Sequence, residues 1–213
     1  MTDKLSLYNG ALGHCGSRPL ASLAEAREAR RKLDWAWARG IVDRCLQAGQ
    51  WDFAARSVLV DISPSVSPQF GYQYAFDRPD DLIRTLAVCS DEYFKSPLKE
   101  YQQEGDYWYA DIEPLYVRYV SNDTDYGGDY AKWPPNFVAY VELLLASEVC
   151  ETLTASRTLK IDLLKLADDQ LGNAKNTEAA EGPTQRPPAG GWSRARHGGT
   201  NGSDRGSTNT LIG

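Results

Sequence analysis

The residues best suited to chemistry are acids, and several gather in one stretch. Glu100, Glu104, Asp106, Asp111 and Glu113 lie close in sequence to Trp108. Paired carboxylates beside an aromatic ring are what glycoside hydrolysis uses, one acid as proton donor and the other as base or nucleophile. A polar sheet face with cross-strand aromatic pairs has the same composition. Nothing in the spacing separates a donor from a base, so a glycoside hydrolase or carbohydrate-binding protein stands as the alternative functional reading. Asp123-Thr124-Asp125-Tyr126-Gly127-Gly128-Asp129 has the look of a calcium loop, but the twelfth position is Pro134 where a bidentate acid is required. A solvated turn is the expectation there. The chain holds two histidines, His14 and His197. His14 adjoins Cys15, and neighbouring helical side chains do not face one another, so a metal pair is not expected. There is no G-x-S-x-G and no G-x-x-x-x-G-K-[ST]. The glycines of 10–16 follow a helical pattern instead of a strand. No catalytic residue, cofactor or metal site is assigned, and the chain is not expected to be an enzyme.

The elements that position these residues are set by a chain of 213 residues, 42% apolar, with net charge −6. That is enough for one domain or two small ones with a real core. An acidic chain is a poor binder of duplex nucleic acid, which calls for a basic surface. Methionine is scarce and tyrosine and tryptophan plentiful, so rings must supply much of the packing. Cys15, Cys45, Cys89 and Cys150 form no C-x-x-C pair and read as buried free thiols of a reducing compartment. No leader pattern is visible, and no apolar run approaches the roughly 20 residues of a bilayer span. The expectation is a protein made in a cytoplasm, with no membrane partner.

The central stretch is 24–54. Leu33, Trp37, Ile41 and Cys45 recur every fourth residue, with Ala26, Ala29, Ala36 and Ala48 beside them. That spacing predicts one long amphipathic helix. Ser22 with Glu25 makes a capping-box pattern at its start, and Gly49 is a plausible stop. Leu5, Tyr8 and Leu12 mark an earlier helix over 5–13. After Gly49 the period shortens. Strands are expected over 53–62, 70–76, 83–89, 98–102, 107–111 and 115–120, with Gly105-Asp106 as a hairpin turn. A Gly/Asp/Pro-rich loop over 122–135 precedes two more helices, 137–152 and 157–174, broken near 153–156. The fold class read from this order is α+β. A helical bundle of 1–50 and 134–180 carries an inserted antiparallel β domain, 51–133. The rings of Tyr72, Tyr74, Phe76, Tyr93, Phe94, Tyr101, Tyr107, Trp108, Tyr109, Tyr116 and Tyr119 are too many for one face. Some should be exposed, as rings at protein interfaces are; a well-covered sandwich core with partly exposed tyrosines is the other reading.

From 181 the composition changes. Residues 182–213 hold eight glycines, three prolines, four arginines (Arg186, Arg194, Arg196, Arg205) and one acid, Asp204. Such a segment buries too little apolar area to offset its chain entropy, so an extended basic C-terminal arm is expected. Its net +3, subtracted from −6, leaves −9 on the body.

Several short motifs carry a resemblance. They are Tyr8-Asn9, Ala11-Leu12, Leu20-Ala21-Ser22-Leu23 and an Ala/Arg-rich helix ending in Gly49-Gln50-Trp51-Asp52-Phe53-Ala54. Further on are Tyr74-Ala75-Phe76, Arg78-Pro79-Asp80-Asp81-Leu82-Ile83-Arg84 and Tyr116-Val117-Arg118-Tyr119-Val120. Together they resemble the tail tubular protein A family of tailed bacteriophages, the head-to-tail adaptors or connectors, over about residues 5–171. The resemblance implies a structural virion protein at the head–tail interface. Such a protein forms a ring of about twelve copies under the portal protein. It extends the DNA channel without sequence-specific contact and receives the next tail component, a nozzle, tube or stopper protein. It also implies docking on the portal through the arm, where Arg186, Arg194 and Arg196 would supply charge and Trp192, Leu211 and Ile212 apolar anchors. In a ring, Arg27, Arg31 and Arg39 would meet acids of the next subunit; a merely solvated face is the other reading of these three.

Overall fold

The computed structural model describes residues 2–181. The arm residues Arg186, Trp192, Arg194, Arg196, Leu211 and Ile212 therefore lie outside the described residues. The architecture is α+β: five α-helices and six strands, with all the strands between the third and fourth helices.

Helix α1 spans Lys4–His14 and starts at a capping box in which the Asp3 carboxylate accepts from the Ser6 N–H. Helix α2 spans Glu28–Ala38 and α3 spans Ile41–Gln47. The single helix expected here is thus two. Gly40 between them has φ +75°, a left-handed conformation that glycine adopts without steric cost and that ends α2. The fourfold apolar spacing survives the break because Leu33, Ile41 and Cys45 are buried in one core and Trp37 packs against it. Ser22 and Glu25 do not cap α2. Arg27 holds the N-cap position, and Glu25 accepts instead from the Ala21 N–H at 2.8 Å. Helix α3 does end directly before Gly49, with Ala48 as its cap, but Gly49 is not among the left-handed glycines. It is a buried site where an added Cβ would meet the Trp51 indole at 2.4 Å, so its small size lets that ring in.

A 3-10 turn, Asp52–Ala54, replaces the start of the first expected strand. The strands are β1 (Ala55–Val60), β2 (Tyr74–Asp77), β3 (Leu82–Cys89), β4 (Gln102–Glu104), β5 (Tyr107–Ala110) and β6 (Leu115–Ser121). They form two antiparallel sheets, β1-β6-β3 and β2-β5-β4. The Gly105 turn joins β4 to β5 with φ +56°. The strand expected over 98–102 is nearly absent. The Asp91 carboxylate takes the Lys95 and Ser96 N–H groups into a tight turn, leaving only Leu98 bonded to Val88.

Helix α4 spans Pro135–Thr154 and α5 spans Arg157–Glu181, separated at Ala155 with φ 52°. Pro at the first position of α4 forfeits no intrahelical hydrogen bond. Almost every turn of α4 is buried, and α1, α2 and α3 all pack on it. Two apolar clusters result. The larger gathers the helices with Val120, Ile83 and Leu86 of the first sheet. The smaller lies between the sheets, around Phe76, Trp108, Leu115, Val117 and Tyr119. Alternation along β6 explains this: Leu115, Val117 and Tyr119 face the second sheet while Val120 faces the helices.

Candidate interaction surface

The motifs that prompted the family resemblance are consumed in joining these parts. Tyr8 on α1 donates to Asp34 on α2 at 2.9 Å, and Asn9 takes both backbone groups of Leu20, donating at 3.1 Å and accepting at 2.7 Å. Trp51 donates its indole N–H to the Cys45 carbonyl, and its ring packs at 4.8 Å on Phe137. From there rings continue through Trp133, Tyr130, Trp37 and Tyr8 at centroid spacings of 4.9, 5.0, 5.5 and 5.6 Å. These edge-to-face contacts tie α1, α2 and α4 to the start of the β region.

The Arg78-Pro79-Asp80-Asp81 and Tyr116-to-Val120 motifs meet each other. Asp81, just before β3, accepts from Tyr119 at 3.0 Å, from Arg56 of β1 at 2.9 Å and from Ser121. Its backbone carbonyl takes the Asn122 N–H. Burial works to raise the Asp81 carboxyl pKa, but the bonds from Ser121, Arg56 and Tyr119 outweigh it and hold the group below its ordinary value. The Tyr119 phenol moves up, through burial first and the bond to Asp81 second. Arg56 also reaches Asp123 at 3.5 Å and lies over the Tyr126 ring. This polar knot ties all three strands of the first sheet to the 122–135 loop.

That loop is a turn. Asp123 accepts from the Asp125 N–H and Asp129 from the Ala131 N–H, so both carboxylates serve the backbone. At Gly127 a Cβ would meet the Ser121 carbonyl oxygen at 2.3 Å, which requires glycine. Among the described residues no three His, Cys, Asp or Glu side chains come together to hold a metal ion. His14 is exposed while Cys15 is buried, so that pair does not converge. All four cysteines are buried, and burial pushes the Cys15 and Cys45 thiols up to about 11 and about 12. Trp108 is fully buried between the sheets and its ring cannot serve as a sugar platform. The surrounding acids are exposed, and Asp111 accepts from the Gln73 N–H. Of the aromatic set, Tyr93 is the one turned mostly outward, at 70% exposure; Phe70, outside that set, is 90% exposed.

The three arginines named for a subunit contact separate. Arg27 folds back onto the carbonyls of Arg18 and Pro19 at 3.0 and 3.1 Å and pairs with Glu25 at 3.7 Å, so it holds the α1–α2 connection. Arg31 and Arg39 stay on the outer face of α2 and form no ion pair among the described residues. Between them in the stripe is Trp35, 57% exposed, with the Arg39 guanidinium 4.4 Å from its ring centre. Trp35, Arg31, Lys32 and Glu28 of α2, with Glu148, Val149 and Thr152 of α4, line a groove of about 500 Å³. Sequence periodicity placed Arg31 and Arg39 on this face. It missed Trp35, whose i+4 spacing from Arg31 and i−4 spacing from Arg39 was the available signal.

No protein-family model matches this chain, and no curated protein matches it at a significant level.

Proposed function

We propose that this protein is a structural head-to-tail adaptor of the tail tubular protein A type. Copies of it form a ring of about twelve beneath a portal protein, extend the DNA channel and present a platform to the next tail component. The observation that carries the reading is the convergence of the motifs that resemble the family. Tyr8-Asn9, Trp51, Asp81 and Tyr119 are distant in sequence, yet each fastens one helix, turn or sheet to another. Motifs spent on holding a bundle and a β sandwich together suit a scaffold. An acidic body suits a channel through which DNA phosphates pass without sticking. The proposed location is the head–tail interface of a virion, reached by assembly in the host cytoplasm, with portal, tail component, further copies and passing DNA as partners. The arm, with Arg186, Arg194, Arg196, Trp192, Leu211 and Ile212, is the proposed portal contact.

The test is co-sedimentation with rings of a portal protein from the same genome. The full chain should travel with the rings, and a chain lacking 182–213 should lose most of that binding. Equal binding by the truncated chain would remove the arm's role. Failure of the full chain to bind would remove the adaptor reading.

A further inference from the structure

Two exposed helical stripes form no ion pair with another element among the described residues. The first is Arg31, Trp35 and Arg39 on α2, spaced i, i+4, i+8, with Lys32 beside it. The second is on α5. Leu163, Ala167 and Ala174 bury one side of that helix, and on its flank Asp162, Leu166 and Asp169 recur at i, i+4, i+7. Leu166 is 52% exposed, and neither aspartate forms an ion pair among the described residues.

The stripes are complementary in three respects. Each places one large apolar side chain between two like charges. The prevailing charges are opposite, basic on α2 and acidic on α5, where Asp162 and Asp169 outnumber the neighbouring Lys165. The spans match: at 1.5 Å rise per residue Arg31 to Arg39 covers about 12 Å, and Asp162 to Asp169 about 10 Å. A tryptophan flanked by arginines over a groove is the composition of an interface anchor. Four other arginines are already paired: Arg30 to Asp34, Arg44 to Glu148, Arg56 to Asp81 and Arg118 to Asp52. A duplex nucleic-acid backbone is a poor occupant, because its phosphates and sugars offer no apolar group to cover the exposed Trp35.

We infer that the occupant is a second copy of this chain: the Arg31–Trp35–Arg39 stripe of one copy docks on the Asp162–Leu166–Asp169 stripe of the next. The contact joins unlike surfaces, so it is heterologous, and such contacts close into rings when the rotation allows. This assignment rests on the ring reading above and identifies which faces make its seam. Trp35 and Leu166 meet at the centre, and the charges disfavour the docking of two like stripes, α2 on α2 or α5 on α5.

The test uses two full-length variants and sedimentation velocity over rising concentration, alone and on portal rings. Arg31→Glu with Arg39→Glu makes both stripes acidic. Asp162→Arg with Asp169→Arg makes both basic. Each variant alone should associate at least about tenfold more weakly than the natural chain. Mixed in equal amounts they should recover, because every seam then joins an acidic to a basic stripe. All four positions are exposed, and unchanged far-ultraviolet circular dichroism verifies folding. As a second readout, Trp35→Cys mixed with Leu166→Cys should give a short thiol cross-link, while neither alone does; the natural cysteines are buried. Undiminished association of either variant alone, or a mixture that fails to recover, overturns the seam and leaves the ring reading standing. A natural chain that never self-associates, even on portal rings, overturns both. A shift of duplex DNA that depends on Arg31 and Arg39, without self-association, assigns the stripe to phosphate and likewise overturns the seam.

Discussion

Replacing Asp81 by alanine should be among the most damaging single changes outside the apolar core. The carboxylate is the acceptor for Tyr119, Ser121 and Arg56. Tyr119 and Ser121 are fully buried, so the substitution leaves two donors without water. A buried donor stripped of its partner costs about 1–3 kcal/mol. Arg56 contributes less, because it is about a third exposed and Asp123 stands 3.5 Å away to take over the charge. The expected loss is about 3–4 kcal/mol, against a total of roughly 5–15 kcal/mol for a domain. The variant should still fold, with a midpoint lowered by about 6–16 °C for a chain of this size. The assay is urea unfolding followed by circular dichroism and tryptophan fluorescence together. A double-mutant cycle sharpens it: in a Tyr119→Phe background the same change should cost about 1–2 kcal/mol less, since one orphaned donor is gone. The pH dependence follows from the lowered Asp81 pKa. A carboxyl depressed on folding stabilises above its unfolded value of 3.8 and loses that contribution as pH falls through its folded value. Asp81→Asn should therefore flatten the acid limb of the stability curve below about pH 4. A cost under about 0.5 kcal/mol for Asp81→Ala, or strict additivity with Tyr119→Phe, would refute the reasoning.

Gly127→Ala forces a Cβ toward the Ser121 backbone oxygen, which cannot swing aside, and should destabilise by about 2–3 kcal/mol in the same urea assay. Burial raises the Glu142 carboxyl pKa, so its ionised form weakens the fold above the folded pKa and the effect vanishes at lower pH. Glu142→Gln should accordingly raise the unfolding midpoint at neutral pH and leave it nearly unchanged in acid. The buried thiols should react slowly with an aqueous disulfide reagent in the native protein, and all four should react quickly in denaturant; a fast native thiol would contradict the packing.

Local signals carried much of the fold. The helix over 5–13, the Gly105 hairpin, the break near 153–156 and the order of helices around strands all follow from periodicity and turn residues. Position 40 was illegible because Ile41 and Cys45 keep the fourfold spacing, and only backbone geometry shows that Gly40 turns left-handed. The division into two sheets was hidden as well. It depends on which strands pair, β1 with β6 and β2 with β5, across long intervals that alternation cannot specify. The same holds for Asp81 and Tyr119, separated by 38 positions. In sequence they stand in two separate motifs, and only the pairing of β6 beside β3 brings them together. Trp108 misled in the opposite direction. Its acidic neighbours suggested a surface platform, but strand alternation turns the ring inward and the acids outward.

The proposed ring on a portal is tested by electron cryomicroscopy of the purified protein mixed with portal rings from the same genome. A closed ring of about twelve copies should sit on one portal face, with the axial channel continuous through both. Portal rings that remain bare at saturating protein, or that carry only scattered single copies, would contradict it.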